Sequence, residues 1–216
     1  MRLPSLSLLC SLLAACGVNH ADTPAPLPRQ AGEIEVQNGD FEQPRSGDQI
    51  PGWTLSQHAG DPAYEMDCDT RDPGEGKTSF RMTRTRKQVY GLINQVVPLP
   101  ADVAGKTVVF SALVRTEGVG SRGWRLAVNL MGGNAILDQQ RAAPATGTTA
   151  WHRESVSFTA PEHITAVDIG AMLLDEGTGW IDDARVQVLD AAAPADPAHR
   201  AGDDRNDRAQ RPDPRH

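Results

Sequence analysis

The chain has 216 residues, with 21 Lys and Arg against 28 Asp and Glu, for a formal charge of −7. No surplus of cations is available to displace phosphate counterions, which excludes nucleic acid as a partner. The 20 Gly and 16 Pro suit short strands joined by turns rather than a helical bundle, and three Cys exclude a disulfide scaffold.

In chain order, Met1-Arg2 precedes an apolar stretch, Leu3 to Ala15, that ends in Leu13-Ala14-Ala15-Cys16. The stretch is shorter than the roughly 18–20 residues of a membrane span. Residues 1–15 therefore read as a secretory signal. Leu-Ala-Ala-Cys resembles the lipobox of bacterial lipoproteins. That resemblance implies cleavage before Cys16, lipidation of its thiol and palmitate-like acylation of its new amine. Each buried methylene would add about 0.8 kcal/mol of membrane affinity. Gly17, in place of Asp, implies the outer membrane in a two-membrane bacterium. The expected address is the cell envelope, with the membrane reached through lipid. Residues 16–32, with Pro24, Pro26 and Pro28, read as the lipidated Cys and a tether. Cys10 would leave with the signal. Cys68, between Asp67 and Asp69, has no cation to lower its pKa and reads as a bystander.

Residues 33–189 alternate with period two, the signature of half-buried strands. The expected strands are Tyr90–Val97, Lys106–Arg115, Trp124–Met131, Trp151–Phe158, Ile164–Leu174 and Trp180–Val188. Shorter ones are Ile34–Gln37, Ala63–Asp67, Ser79–Thr83 and Ile136–Gln140, and Pro100–Ala104 reads as a turn. Strands at this spacing predict one all-β domain, an antiparallel sandwich or barrel. Residues 190–216, mostly Ala, Pro, Asp and Arg, bury too little apolar surface to order and read as a disordered tail.

Alternation also sorts faces. Trp124, Leu126, Val128 and Leu130 take one side of their strand, and Arg125, Ala127 and Asn129 the other. Val108, Phe110, Ala112 and Val114 likewise oppose Ser111, Leu113 and Arg115, and Gln95 opposes Leu92. Gln95, Ser111, Arg115, Arg125 and Asn129 read either as a recognition face, with donors and acceptors in fixed directions, or as an ordinary polar face.

The motif order carries a second resemblance. Asn38-Gly39-Asp40-Phe41-Glu42 opens the core, followed by Pro51-Gly52-Trp53, Gly76-Lys77-Thr78-Ser79 and Gly105-Lys106 before FSALVRTEG. Trp151, Phe158, Pro161 and Gly179-Trp180-Ile181-Asp182-Asp183-Ala184-Arg185-Val186 close it. This resembles the CenC-type carbohydrate-binding modules of families 4, 9 and 22, jelly rolls of the galactose-binding-like class. The resemblance implies a structural Ca²⁺ where the chain ends meet, at Asp40, Glu42, Lys77 and Asp182, with Asp183 a further carboxylate nearby. It also implies a sugar site that uses Gln95, Arg115, Arg125 and Asn129, extended by Asp138 and Gln139. Tyr90, Trp53 or Trp124 would serve as platforms for a pyranose face. Trp124 has core parity, Trp151 and Trp180 read as core, and Trp53 reads equally as packing or platform.

No Gly-x-Ser-x-Gly elbow, P-loop or His-Glu-x-x-His occurs, and His58, His152 and His163 lie far apart. Asp67, Asp69, Asp203 and Asp204 read as solvated loop charge. The leading expectation is a non-catalytic module that binds a glycan or cell-wall polymer from a lipid anchor. The alternatives are an envelope lipoprotein that binds a protein partner with the same fold, and a glycan-active hydrolase with a carboxylate pair.

Overall fold

A computed structural model describes residues 32–190. The signal, Cys16, the tether through residue 31 and the tail from residue 191 lie outside the described residues. The described chain forms β1 (Glu33–Ile34), β2 (Thr54–Gln57), β3 (Tyr64–Asp69), β4 (Ser79–Arg84), β5 (Gly91–Pro98), β6 (Thr107–Gly132), β7 (Ala135–Arg141), β8 (Ala145–Thr159), β9 (Ala166–Leu173) and β10 (Thr178–Leu189). Every pairing is antiparallel. Among the described residues no helix is long and apolar enough to cross a membrane.

β6, 26 residues long, organises the rest. Its first half, 107–116, lies between β10 and β8, and its second half, 124–131, between β9 and β7. Gly118 (φ 59°) and Gly123 (φ 81°) stand between the halves, in a backbone region that L side chains disfavour. Two layers result. The first is β3-β4-β10-β6-β8, with β1 on the far part of β10, and the second is β2-β5-β9-β6-β7.

The period-two pattern fills the space between the layers. Val108, Phe110, Ala112 and Val114 come from the first half of β6, and Trp124, Leu126, Val128 and Leu130 from the second. Phe80, Met82, Ile181 and Val186 join from the first layer, and Ile93, Val97, Val167, Ile169 and Leu173 from the second. Each large side chain buried this way contributes about 1.5–3 kcal/mol. The Tyr64 hydroxyl crosses the core and donates to the Leu173 carbonyl at 3.2 Å.

The all-β antiparallel architecture is as the sequence predicts, and residues 100–104 form the expected turn, closed by Val103 N donating to Pro100 O. Three details differ. The strands expected at 106–115 and 124–131 are parts of one strand. β2 had no sequence signal of its own, and it forms because Leu55 packs against the core beside Ile93. The strand expected at 34–37 stops at Ile34, and Gln37 is held by the Gln95 side chain instead of by a ladder.

Candidate functional site

The two outer faces of the sandwich differ. The face of the first layer is covered by the 70–78 loop. Trp180, on the outer side of β10, is buried; its indole N–H donates to Asp69 Oδ2 at 3.1 Å, and the Arg115 guanidinium lies 4.3 Å from its ring centroid. Arg115 Nη1 also donates to Asp72 Oδ2 at 2.8 Å, and Trp151 Nε1 to Asp72 O at 3.0 Å. The Arg71 and Trp180 donors hold the Asp69 carboxyl well below the usual carboxylate range. A Cβ on Gly74 would lie 3.1 Å from both Leu113 and Trp151, so the loop sits tightly on this face.

Asp182 and Glu42 fasten that loop. Asp182 is fully buried; its Oδ2 accepts N–H bonds from Gly74 and Glu75, both at 2.9 Å, and its Oδ1 accepts one from Asp183 at 2.7 Å. Burial pushes the Asp182 carboxyl up to about 7, against the pull of those three N–H groups. Glu42 Oε1 accepts from Lys77 N at 2.6 Å and Thr78 N at 2.9 Å, and a Cβ on Gly76 (φ 61°) would lie only 2.4 Å from that oxygen. Asp40 Oδ1 accepts from Glu42 N at 3.3 Å, and Asp183 pairs with Arg153 and Arg185.

This arrangement does not fit the Ca²⁺ expected at Asp40, Glu42, Lys77 and Asp182. Calcium needs six to eight converging oxygens. Here both Asp182 oxygens, Glu42 Oε1 and Asp40 Oδ1 meet amide N–H groups, whose partial charge has the sign of a cation, and Lys77 presents its N–H to Glu42. Among the described residues no three His, Cys, Asp or Glu converge as a metal site.

Among the described residues no loop packs on the outer face of the second layer as 70–78 does on the first, and that face carries a hydrogen-bonded ladder across four strands. Asn94 of β5, Asp168 of β9, Asn129 of β6 and Gln139 of β7 stand side by side, set by the pairings Asn129 with Asp168 and Asn129 with Gln139. Asn94 Nδ2 donates to Asp168 Oδ1 at 2.7 Å, Asn129 Nδ2 to Asp168 Oδ2 at 3.0 Å, and Gln139 Nε2 to Asn129 Oδ1 at 2.9 Å. Both Asp168 oxygens are thus engaged. Asn94 and Gln139 each keep a carbonyl oxygen and one N–H, the donor–acceptor combination that a sugar hydroxyl matches.

Beside the ladder lies a floor of small residues, Gly170 of β9 opposite Ala127 of β6. Glycine is required at 170, because a Cβ there would lie 2.0 Å from the Ile93 carbonyl oxygen. Leu92, Met172 and Arg125 form the next row, since Leu92 and Arg125 both pair with Met172. The alternation carries Tyr90 to the side of Leu92, where it meets His58 edge-on at 5.7 Å between ring centroids.

The predicted site residues divide between these places. Arg125, Asn129, Gln139 and Tyr90 belong to the open face. Arg115 does not; it has the same parity as Arg125 but stands in the first layer, so it points the opposite way, onto Trp180. Gln95 faces inward, where its amide donates to Gln37 O at 2.9 Å and accepts from Gln37 N at 2.8 Å. Asp138 pairs opposite Leu130, so it turns from the ladder to line a cleft of about 390 Å³ between β7 and β8. Trp53 is packing and not a platform; it is buried, stacks on Phe41 at 5.1 Å and donates to Asn38 O at 3.0 Å. Trp124 is in the core, as its parity predicts, whereas Trp151 and Trp180 pack beneath the 70–78 loop. Cys68 is half-buried, and burial pushes its thiol up.

Sequence reading missed Asp168, Asn94 and Gly170. The signal was present, because Val167, Ile169, Ala171 and Leu173 alternate with Asp168, Gly170 and Met172. The apolar density of the segment hid it.

No family model matches the chain, and no curated protein matches it in sequence. Its fold recurs in solved structures. One is a carbohydrate-binding module of family 4, at 19% identity and TM-score 0.50, covering 72% of this chain and 100% of that one. Another is a Stig cyclase from Fischerella sp. TAU, in complex with (3Z)-3-(1-methyl-2-pyrrolidinylidene)-3H-indole, at 14% identity and TM-score 0.53, covering 74% and 98%. A third is the enzymatically active domain of tailspike protein 4 from bacteriophage CBA120, at 17% identity and TM-score 0.57, covering 72% of this chain and 21% of that one. The described chain is a jelly-roll β-sandwich, a fold shared by carbohydrate-binding modules and by enzymes.

Proposed function

We propose that this chain is a non-catalytic carbohydrate-binding module that holds a glycan or cell-wall polymer on the outer face of β2-β5-β9-β6-β7. The observation that carries the reading is the Asn94–Asp168–Asn129–Gln139 ladder. Its amides are pre-oriented by one another, so less side-chain entropy is lost when a ligand hydroxyl binds. The small floor at Gly170 and Ala127 leaves room for a ring, and Leu92, Met172 and Tyr90 offer apolar surface for its C–H face. The fold likeness to a family 4 module supports the same reading at low identity.

Binding without chemistry fits the carboxylates. Asp168 is the one carboxylate among the described outward residues of these strands, and both its oxygens are engaged. Glycoside hydrolysis of the usual kind takes two. The Leu-Ala-Ala-Cys sequence supports display from a lipid anchor at Cys16 in the cell envelope. A protein-binding role draws support from Ile136 and Leu137, both exposed on the edge strand β7.

The test is an array of glycans and cell-wall polysaccharides probed with the full-length chain. Reproducible binding that disappears in Asn129→Ala and Asp168→Ala, with both variants still folded under the assay conditions, supports the module. Folded protein that binds no glycan overturns it and makes an envelope protein partner the leading reading.

A further inference from the structure

Eleven arginines fall within residues 32–190, and their partners single out one place. Arg45, Arg71, Arg81, Arg84, Arg86, Arg115, Arg153 and Arg185 each have a carboxylate within ion-pair distance. Among the described residues Arg122, Arg125 and Arg141 form no side-chain ion pair, and these three are neighbours. Arg125 Nη2 donates to the Arg122 carbonyl at 2.9 Å, and Arg125 Nε is buried with no acceptor. Arg141 lies opposite Ala127, which makes Arg125 its diagonal cross-strand neighbour. Such neighbours stand about 7–8 Å apart, close enough for long side chains to share a ligand.

Nearby carboxylates have other partners. Asp168 is held by Asn94 and Asn129. Asp175 accepts from the backbone N–H groups of Arg122 and Glu176 and lies 3.7 Å from Arg84. Arg125 and Arg141 therefore present uncompensated charge at the edge of the Gly170–Ala127 floor.

We propose that this face selects saccharides that carry carboxylates, as uronic acids do, and that Arg141 and Arg125 form its anion subsite; the proposal rests on the carbohydrate reading above. A guanidinium matches a carboxylate through two parallel N–H bonds, so the pair reads geometry as well as charge. The ladder reads the ring hydroxyls of the same sugar. With no side chain beyond Cβ at Gly170 and Ala127, a ring carboxylate can approach both arginines without displacing a protein group.

The test is affinity electrophoresis of the full-length chain in polygalacturonate, alginate and glucuronoxylan, each paired with its carboxyl-reduced neutral form. Dextran sulfate and polyglutamate supply the same charge without uronic acid. The expected result is about tenfold or greater preference for at least one uronate polymer over its reduced form. In Arg141→Gln and Arg125→Gln that ratio falls towards one. Arg141 is exposed, so its variant keeps the unfolding midpoint and the ratio reports on binding. Equal affinity for every acidic polymer and its reduced partner overturns the anion subsite and leaves the carbohydrate reading standing. Retention by dextran sulfate or polyglutamate as strong as by the uronates also overturns it, in favour of a sulfate-binding or acidic-peptide-binding surface. Binding to none of these polymers, together with a negative neutral array, removes both readings.

Discussion

Arg115 and Arg125 belong to one strand, share one parity and end on opposite sides of the molecule. Arg115 lies over Trp180 beneath a loop, with Asp72 as its partner. Arg125 lies on an open face with no carboxylate partner. The two outer faces differ in what satisfies their polar groups. On the covered face, carboxylates accept backbone N–H bonds and arginines pair with carboxylates, so the polar groups hold the fold. On the open face, the ladder groups bind one another only in part and keep donors and acceptors for something else. A polar residue on a sheet face therefore has two physical fates, and local sequence alone does not distinguish them.

The comparison breaks most readily at Asp182. Asp182→Ala leaves three N–H groups, one buried and two part-buried, without their acceptor and frees the 70–78 loop. The expected cost is about 3–5 kcal/mol, measured by denaturant unfolding, with glycan affinity per folded molecule unchanged. A loss below about 1 kcal/mol would show that the covered face does not depend on this carboxylate.

Asp168→Ala on the open face should do the reverse. It removes two partly exposed hydrogen bonds, a stability change of about 1–2 kcal/mol, but it disorganises Asn94 and Asn129 and should weaken glycan binding by about tenfold or more. Calorimetric titration of a glycan found on the array checks this. Unaltered affinity would move the site elsewhere.

The covered face should also respond to pH. The folded-state value for Asp182, about 7, lies above that of an unfolded Asp, near 3.9. Between those values the folded protein keeps a proton that the unfolded chain releases. This contribution is complete below the unfolded value and is lost as pH rises through about 7. Asp69 acts in the opposite sense. Its depressed value contributes stability above the unfolded value that is lost as pH falls. The unfolding midpoint should rise by a few degrees from pH ~8 to ~5 and fall again below ~4. The upper limb should be missing in Asp182→Asn, and its persistence there would assign it to another group.

Arg115→Gln tests the smaller contribution of one covered arginine. Loss of the cation–π contact and of the pair with Asp72 should cost about 1 kcal/mol without changing glycan affinity. A binding defect there would contradict its placement on the covered face. The smallest effect expected is from calcium. Because amide N–H groups occupy both Asp182 oxygens and Glu42 Oε1, chelator and added Ca²⁺ should leave the unfolding midpoint unchanged. A rise of several degrees with Ca²⁺ would mean that the 70–78 loop reorganises around the ion.

Much of the fold was legible in the sequence, because period two survives wherever one face of a strand is buried. Val108 to Val114 and Trp124 to Leu130 were assigned correctly to the core. The candidate site was legible in part. Asn129, Arg125, Gln139 and Tyr90 were named and lie on the open face. Gln95 was displaced from it because an inward amide is affordable when its partner is another backbone, here Gln37. Asp168 was overlooked because it stands in the most apolar strand, where its two amide partners come from strands distant in sequence.

The sequence by itself determined strands, turns and parity, since these depend on neighbours a few residues away. It also carried the Leu-Ala-Ala-Cys signal on which the expected lipid anchor rests. Only the tertiary structure decided which face was which. The passage of β6 from one layer to the other at Gly118 and Gly123 reverses the direction in which the same parity points. Pairings between residues far apart in the chain then decided which polar groups were used up and which stayed open, because hydrogen bonding depends on distance in space.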